Sequence, residues 1–226
     1  MSFVFCYNEK GRFNRPLNPN PLQNQPRKTP KQERSAATVA AILTACAELL
    51  VREGYEAVGV TGIAERAGVS VGSLYQYFPN KPAIIAALIE TEGKLQLALL
   101  LDIVNRKHLT SLESIFRTIV DEECDHFALN PALHDILIKA IHRLGRADEI
   151  KAIEFGAVKV IRALIEKHRP GLGATELDKV SELITFTVLN MLRHCAMTRP
   201  EYLRDVEFRK EMISLVMHHL DKKVRF

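Results

Sequence analysis

Residues 57–82 read AVGVTGIAERAGVSVGSLYQYFPNKP, and this stretch decides the fold. Val60, Ile63, Ala64 and Ala67 recur at three- and four-residue spacing, the pattern of a short helix with one apolar stripe. Gly68 stands where a left-handed residue would end that helix, and Ser70 is placed to cap the next one. The second helix is predicted over 71–78. Pro79 stops it, since proline lacks an N–H and disfavours helix in the residue before it. Two short helices joined by a glycine turn make the unit that lays its second helix in the major groove of DNA. The stretch points to a DNA-binding head.

At about 100° per residue, Phe78 falls about 40° and Val71 about 60° from Leu74 on the second helix. Leu74 and Phe78 therefore point inward. Gly72 and Gln76 fall opposite that core, with Ser73 and Tyr75 beside them. Gln76 suits bidentate pairing with adenine, Gly72 lets the backbone approach the groove, and Val71 is placed to touch a thymine methyl. Tyr75 and Tyr77 carry hydroxyls that donate to phosphate oxygens and set register without reading sequence; partial core packing is the other reading of both. Lys81, beside the start of the following helix, is a candidate phosphate clamp. The second helix holds no Arg or Lys, the commonest guanine readers, so A·T pairs are expected to matter most where it faces the groove.

The wording of the segment also resembles IAxxAGVSxGxLYxYFxxK, the signature of the TetR/AcrR family of bacterial one-component regulators. Ile63, Ala64, Ala67, Gly68, Val69, Ser70, Gly72, Leu74, Tyr75, Tyr77, Phe78 and Lys81 carry the match. With the preceding helix the likeness covers roughly residues 29–90; further on, only length and helical character fit. One departure lies at the start of the first motif helix, where Gly59 and Gly62 replace the usual Thr or Ser and charged pair; Gly62 costs about 1 kcal/mol relative to Ala. The resemblance implies phosphate contacts from Tyr75, Tyr77 and Lys81, and from Thr61 or its neighbours. It also implies a dimer formed by the last two helices, and an effector pocket among the middle helices that Phe116, His126, Phe127, His134, His142 and Phe155 are placed to line. A helical Phe or His on an apolar face is more often plain core. The helix after Asn80 would then link the head to the ligand domain as a lever.

The chain has 226 residues, 47% of them hydrophobic, and a formal net charge of +4. That suffices for a real core and excludes wholesale disorder. The charge is uneven: residues 1–34 hold seven Lys/Arg against Glu9 and Glu33, so the remainder sums to −1. Four prolines among Asn and Gln mark 1–28 as a flexible basic arm, either a phosphate-attracting extension or a solubilising tail. No apolar run approaches the ~20 residues of a membrane helix; 95–104 comes nearest and is broken by Gln96 and Asp102. MSFVFCYNEKGRF turns polar too early for a secretory signal, so a cytoplasmic location and no membrane partner are expected. Cys6, Cys46, Cys124 and Cys195 form no C-x-x-C pair. Cys46 falls on an apolar stripe and reads as a small core residue, disulfides are not expected in a reducing compartment, and a redox-sensor role for Cys124 or Cys195 is a minor reading.

Helices are predicted over 30–53, ended by Gly54; after Asn80, as an N-cap, to about Lys107; and over 112–129, 131–144, 148–168, 176–198 and 206–222. No stretch alternates like a strand for long. The fold class is all-α: a three-helix helix-turn-helix head on a larger C-terminal bundle that dimerises. Its parts are the arm (1–28), the DNA-binding domain (29–81) and the effector-binding and dimerisation domain (82–226). The apolar stripes of the last two helices equally permit packing inside one subunit.

No nucleophile elbow, P-loop or metal-binding His/Cys spacing is present. Gly171-Leu172-Gly173-Ala174 is half a dinucleotide fingerprint and follows a helix, so it reads as a linker. Catalysis, a cofactor and a metal are not expected. The expected function is a ligand-responsive repressor binding a palindromic operator as a dimer. The alternative is a helical DNA-binding or partner-binding protein with no small-molecule effector.

Overall fold

The computed structural model describes residues 30–221, with side chains from Arg34 to Leu220 except at 147, 149 and 150. The basic arm, Cys6 and Lys222 lie outside the described residues. Nine α-helices follow in order among those described: α1 (Pro30–Ala57), α2 (Val60–Ala67), α3 (Val71–Tyr75), α4 (Lys81–Val104), α5 (Leu112–Leu129), α6 (Pro131–Arg143), α7 (Ala147–His168), α8 (Ala174–Thr198) and α9 (Val206–Asp221). No strand occurs among these residues. The all-α expectation holds.

Local chemistry sets the breaks where the sequence marks them. Gly54 interrupts α1 with φ 81° and ψ 165°, a conformation that side chains on L-residues resist. Gly68 ends α2 at φ 68°, and Val69 N–H reaches back to Ala64 O at 3.0 Å. Ser70 Oγ accepts from Ser73 N–H at 3.0 Å to start α3. Asn80 and Asn130 cap α4 and α6 through Oδ1, accepting from Ala83 N–H at 2.9 Å and from Leu133 N–H at 3.1 Å. Gly59, by contrast, offers α2 no side-chain cap.

Several boundaries differ from expectation. α3 ends at Tyr75 rather than Phe78, because Gln76 and Tyr77 N–H turn to the carbonyls of Ser73 and Leu74 and tighten the chain ahead of Pro79. α4 ends at Val104, short of Lys107, by the same tightening at Asn105 and Arg106. A 3-10 turn, Pro200–Arg204, precedes α9 and was not anticipated. Within α1, Arg34–Ala57 is long and apolar enough to cross a membrane by length and composition alone, which corrects the expectation that no segment approaches that length. Its Ile42, Leu43, Cys46 and Leu50 are buried as the core of the head.

The chain divides into two compact units. The first takes the described residues as far as Leu95 together with Ile136–Arg146, and the second takes Gln96–Asp135 and the described residues from Ala147. The division falls inside α4 and α6. Within the first unit Arg143, late in α6, pairs with Glu56 and lies 4.4 Å from the centre of the Tyr55 ring. In the first unit Ile42, Leu50, Ile63, Leu74, Ile84 and Leu88 form the interior. In the second, α5 packs against α8 and α9, and α7 against α8, around Phe116, Val120, Ile161, Ile165, Leu192 and Val216.

Candidate nucleic-acid interface and internal cavity

In the first unit, a single turn separates the residues that hold α3 in place from those it displays. Leu74 is fully buried and Phe78 is 8% exposed. On the other side Gly72, Tyr75 and Gln76 are exposed, with Val71 and Ser73 half-buried. Tyr75 is 53% exposed and open to a partner, whereas Tyr77 is half-buried, so packing occupies part of its ring. Ser73 also shares a 2.8 Å hydrogen bond with the Ser70 hydroxyl. A Cβ on Gly72 would meet nothing closer than Ser70 Oγ at 3.9 Å. The glycine leaves open backbone rather than relieving a clash. Thr61 is exposed at the first turn of α2.

Lys81 takes a different place from the one its position suggests. Its ammonium donates to the Tyr55 carbonyl at 2.8 Å and lies 4.8 Å from the centre of that ring. It secures the start of α4 to α1, and reaching a phosphate would require releasing that carbonyl. Tyr55, which the sequence reading passed over, therefore organises two cations, Lys81 and Arg143.

The second unit has a narrow pocket between α4, α5, α7 and α8 that opens to solvent, with about 620 Å³ of empty space counting the open solvent at its mouth. Its walls are mostly apolar: Leu97 and Leu100 from α4, Phe116, Ile119 and Val120 from α5, Ala157 and Ile161 from α7, Ile184 and Val188 from α8. Gln96, Glu123, Glu154, Thr185 and Arg193 supply the polar groups. Of the six residues expected around a pocket, Phe116 lines this one. His126, Phe127 and His134 form a separate buried cluster, with the Phe127 and His134 rings 4.4 Å apart and His134 Nε2 3.4 Å from the His126 carbonyl. His142 is exposed in the first unit. Phe155 is 49% exposed on α7, edge-on to Phe186 at 6.4 Å.

Burial sets the protonation of these groups. It pushes the Glu123 carboxyl up to about 8, against smaller opposing pulls from Gln96 and Arg193. It pushes His126 down to about 4 and His134 to about 3, so both rings are neutral at pH 7. It raises the Cys46 and Cys124 thiols to about 12 and the Cys195 thiol upward, which suppresses the reactive thiolate. These three are core residues. The sequence did carry a signal for Glu123: it follows Ile119 and Val120 and precedes Phe127 at helical spacing, a carboxylate on the apolar face of α5.

The family model of bacterial regulatory proteins of the tetR family matches residues 42–88, and that of the tetracyclin repressor-like C-terminal domain matches 111–220. The chain belongs to the TetR family. Over 51 residues it is 45% identical to the HTH-type transcriptional repressor KstR of Rhodococcus jostii, an alignment covering 23% of this chain and 24% of that one. The chain thus spans about a quarter of the length of such curated relatives. The fatty acid degradation regulator FadR of Bacillus halodurans has the same fold, with a TM-score of 0.61 at 20% identity over 88% of this chain and 99% of that one. FadR of Bacillus subtilis, solved with stearoyl-CoA, gives 0.60 at 16% identity over 80% and 97%.

Proposed function

We propose that this protein is a cytoplasmic, ligand-responsive transcriptional repressor that binds a palindromic operator as a homodimer. The observation that carries it is the two-sided α3: Leu74 and Phe78 buried, with Gly72, Tyr75 and Gln76 displayed one turn away. Family membership and the 51-residue match to KstR support the reading. Gln76, Val71 and Gly72 are assigned to base edges; Thr61, Ser73, Tyr75 and Tyr77 to the backbone; and Lys81 to a phosphate once it leaves Tyr55.

One such head reads only a few base pairs, and a dimer pairs two half-sites roughly 34–36 Å apart. The surfaces of α8 and α9 are consistent with that. Val180, Ile184, Val188 and Leu192 on α8, with Met212, Ile213, Val216 and Leu220 on α9, pack within the subunit. Leu183, Met191 and Leu215 remain 47%, 39% and 45% exposed, a residual apolar face suited to a second copy. The cavity of the second unit is the assigned effector site, since small-molecule sites lie between the helices of bundles.

The test is selection of bound duplexes from a random library at ~0.15 M salt, with Tyr75→Ala alongside. An enriched inverted repeat that the variant fails to enrich supports the reading. A folded protein that enriches nothing, or enriches half-sites fixed by guanines under α3, contradicts it.

A further inference from the structure

The polar groups of the second unit's cavity constrain what it can hold. Thr185 is 5% exposed, and its hydroxyl oxygen has no hydrogen-bond partner. A buried hydroxyl is nearly always bonded, so an orphaned one on a cavity wall marks a place for a missing partner. Glu123, 4% exposed, faces the same space from α5 and receives a long 3.5 Å contact from Gln96 Nε2. The cation lining the cavity among the described residues, Arg193, is already bound to Glu154 across α7 and α8. The site therefore combines an apolar body, two carboxyl groups and no uncommitted positive charge.

We infer that this cavity takes an uncharged, largely apolar ligand whose one polar group is a hydrogen-bond acceptor of the carbonyl type, received by Thr185 and Glu123, and that it rejects carboxylates and phosphates. The inference rests on the ligand-responsive reading above. A buried anion would find no free cation there, because Arg193 is held by Glu154, and isolated burial of a charge is prohibitive. A neutral acceptor gives the Thr185 hydroxyl its partner at no such cost. Glu123 completes the pair as a donor, because burial holds its proton up to about pH 8. The charges around it leave that state in place. Arg193 pulls the value down from α8, Glu122 pushes it up from α5 while bound by Arg106, and Glu154 on α7 is engaged by Arg193; Gln96 on α4 is uncharged.

Three probes of equal chain length separate the possibilities: decan-2-one, decanoate and decyltrimethylammonium, each titrated calorimetrically into the full chain without DNA. The ketone is expected to bind about tenfold or more tighter than decanoate at pH 7. Its affinity should hold from pH 6 to 7 and fall above 8, as Glu123 loses the proton it donates. Glu123→Gln keeps a donor and should abolish that fall, and Thr185→Val should weaken the ketone by about fivefold or more. Decanoate binding as tightly as the ketone overturns the inference. So does a cation that binds tightest and strengthens from pH 7 to 9, or a ketone that never saturates a folded protein. The comparison of probes on the unaltered chain needs no variant, so a misfolded variant does not rescue it. If the ketone binds as described but leaves the selected operator complex intact, the ligand class stands and the regulatory reading fails.

Discussion

The two units organise function and stability in opposite ways. In the first, the candidate DNA surface is a display: Gly72, Tyr75 and Gln76 are exposed, while Leu74 and Phe78 behind them are buried and hold the helix. In the second, the candidate ligand site is the core itself. Phe116, Ile119, Ile161 and Ile184 line the cavity and are also the residues that bind α5, α7 and α8 together. A surface site leaves recognition free to change without touching the fold. A core site ties each change in specificity to a change in stability, because every lining atom is also a packing contact.

The largest effect that tests this contrast is Phe116→Ala. Phe116 is 1% exposed, and its truncation is expected to cost about 3–5 kcal/mol. It should lower the unfolding midpoint of the second unit and alter ligand binding together, checked by denaturant titration with and without ligand. A variant that changes ligand binding at unchanged stability would break the comparison.

Acid titration sharpens it next. His126 and His134 are held neutral, below the ordinary value of 6.5. A group whose folded value is depressed contributes stability that is present above 6.5 and lost as pH falls through the folded value. For His126 the window runs from 6.5 to about 4, an upper bound of about 3 kcal/mol. Glu123 behaves in the opposite sense. Its value is raised from 4.5 to about 8, so its relative contribution is present below 4.5 and lost as pH rises to 8. Melts from pH 4 to 9 should show the second unit most stable between these limits, and Glu123→Gln should flatten the alkaline side.

Smaller effects belong to the first unit. Ser70→Ala removes the cap on Ser73 N–H and should cost about 1 kcal/mol, measurable by thermal melting and accompanied by weaker DNA binding as α3 frays. Smallest in stability is Gln76→Ala. On an exposed position it should stay within about 0.5 kcal/mol of the parent, yet relax base preference at one position of the selected site. A large loss of stability from Gln76→Ala would mean that the display and the scaffold of α3 are not separable.

How much of this was legible beforehand varies with the range of the interaction. The glycine turn at Gly68, the Ser70, Asn80 and Asn130 caps and the inward Leu74 and Phe78 were all readable, since each is fixed by neighbours within four residues. The early end of α3 was missed by three residues, because a proline bounds a helix without saying how the last turn tightens. Of the six pocket candidates, Phe116 alone reached the cavity wall. Spacing shows that His126, Phe127 and His134 face inward, but not which interior they share.

The sequence by itself determined the all-helical class, the helix-turn-helix and its two faces, and membership of a regulator family, because periodicity, capping and a dense local motif act along one short segment. Only the tertiary structure decided that Lys81 bonds the Tyr55 carbonyl, that late α6 joins the first unit, and that Glu123 and Thr185 face one cavity while Arg193 is held by Glu154. Those outcomes depend on helices far apart in sequence converging, and the burial and pairing of a polar side chain are set by the neighbours it meets there.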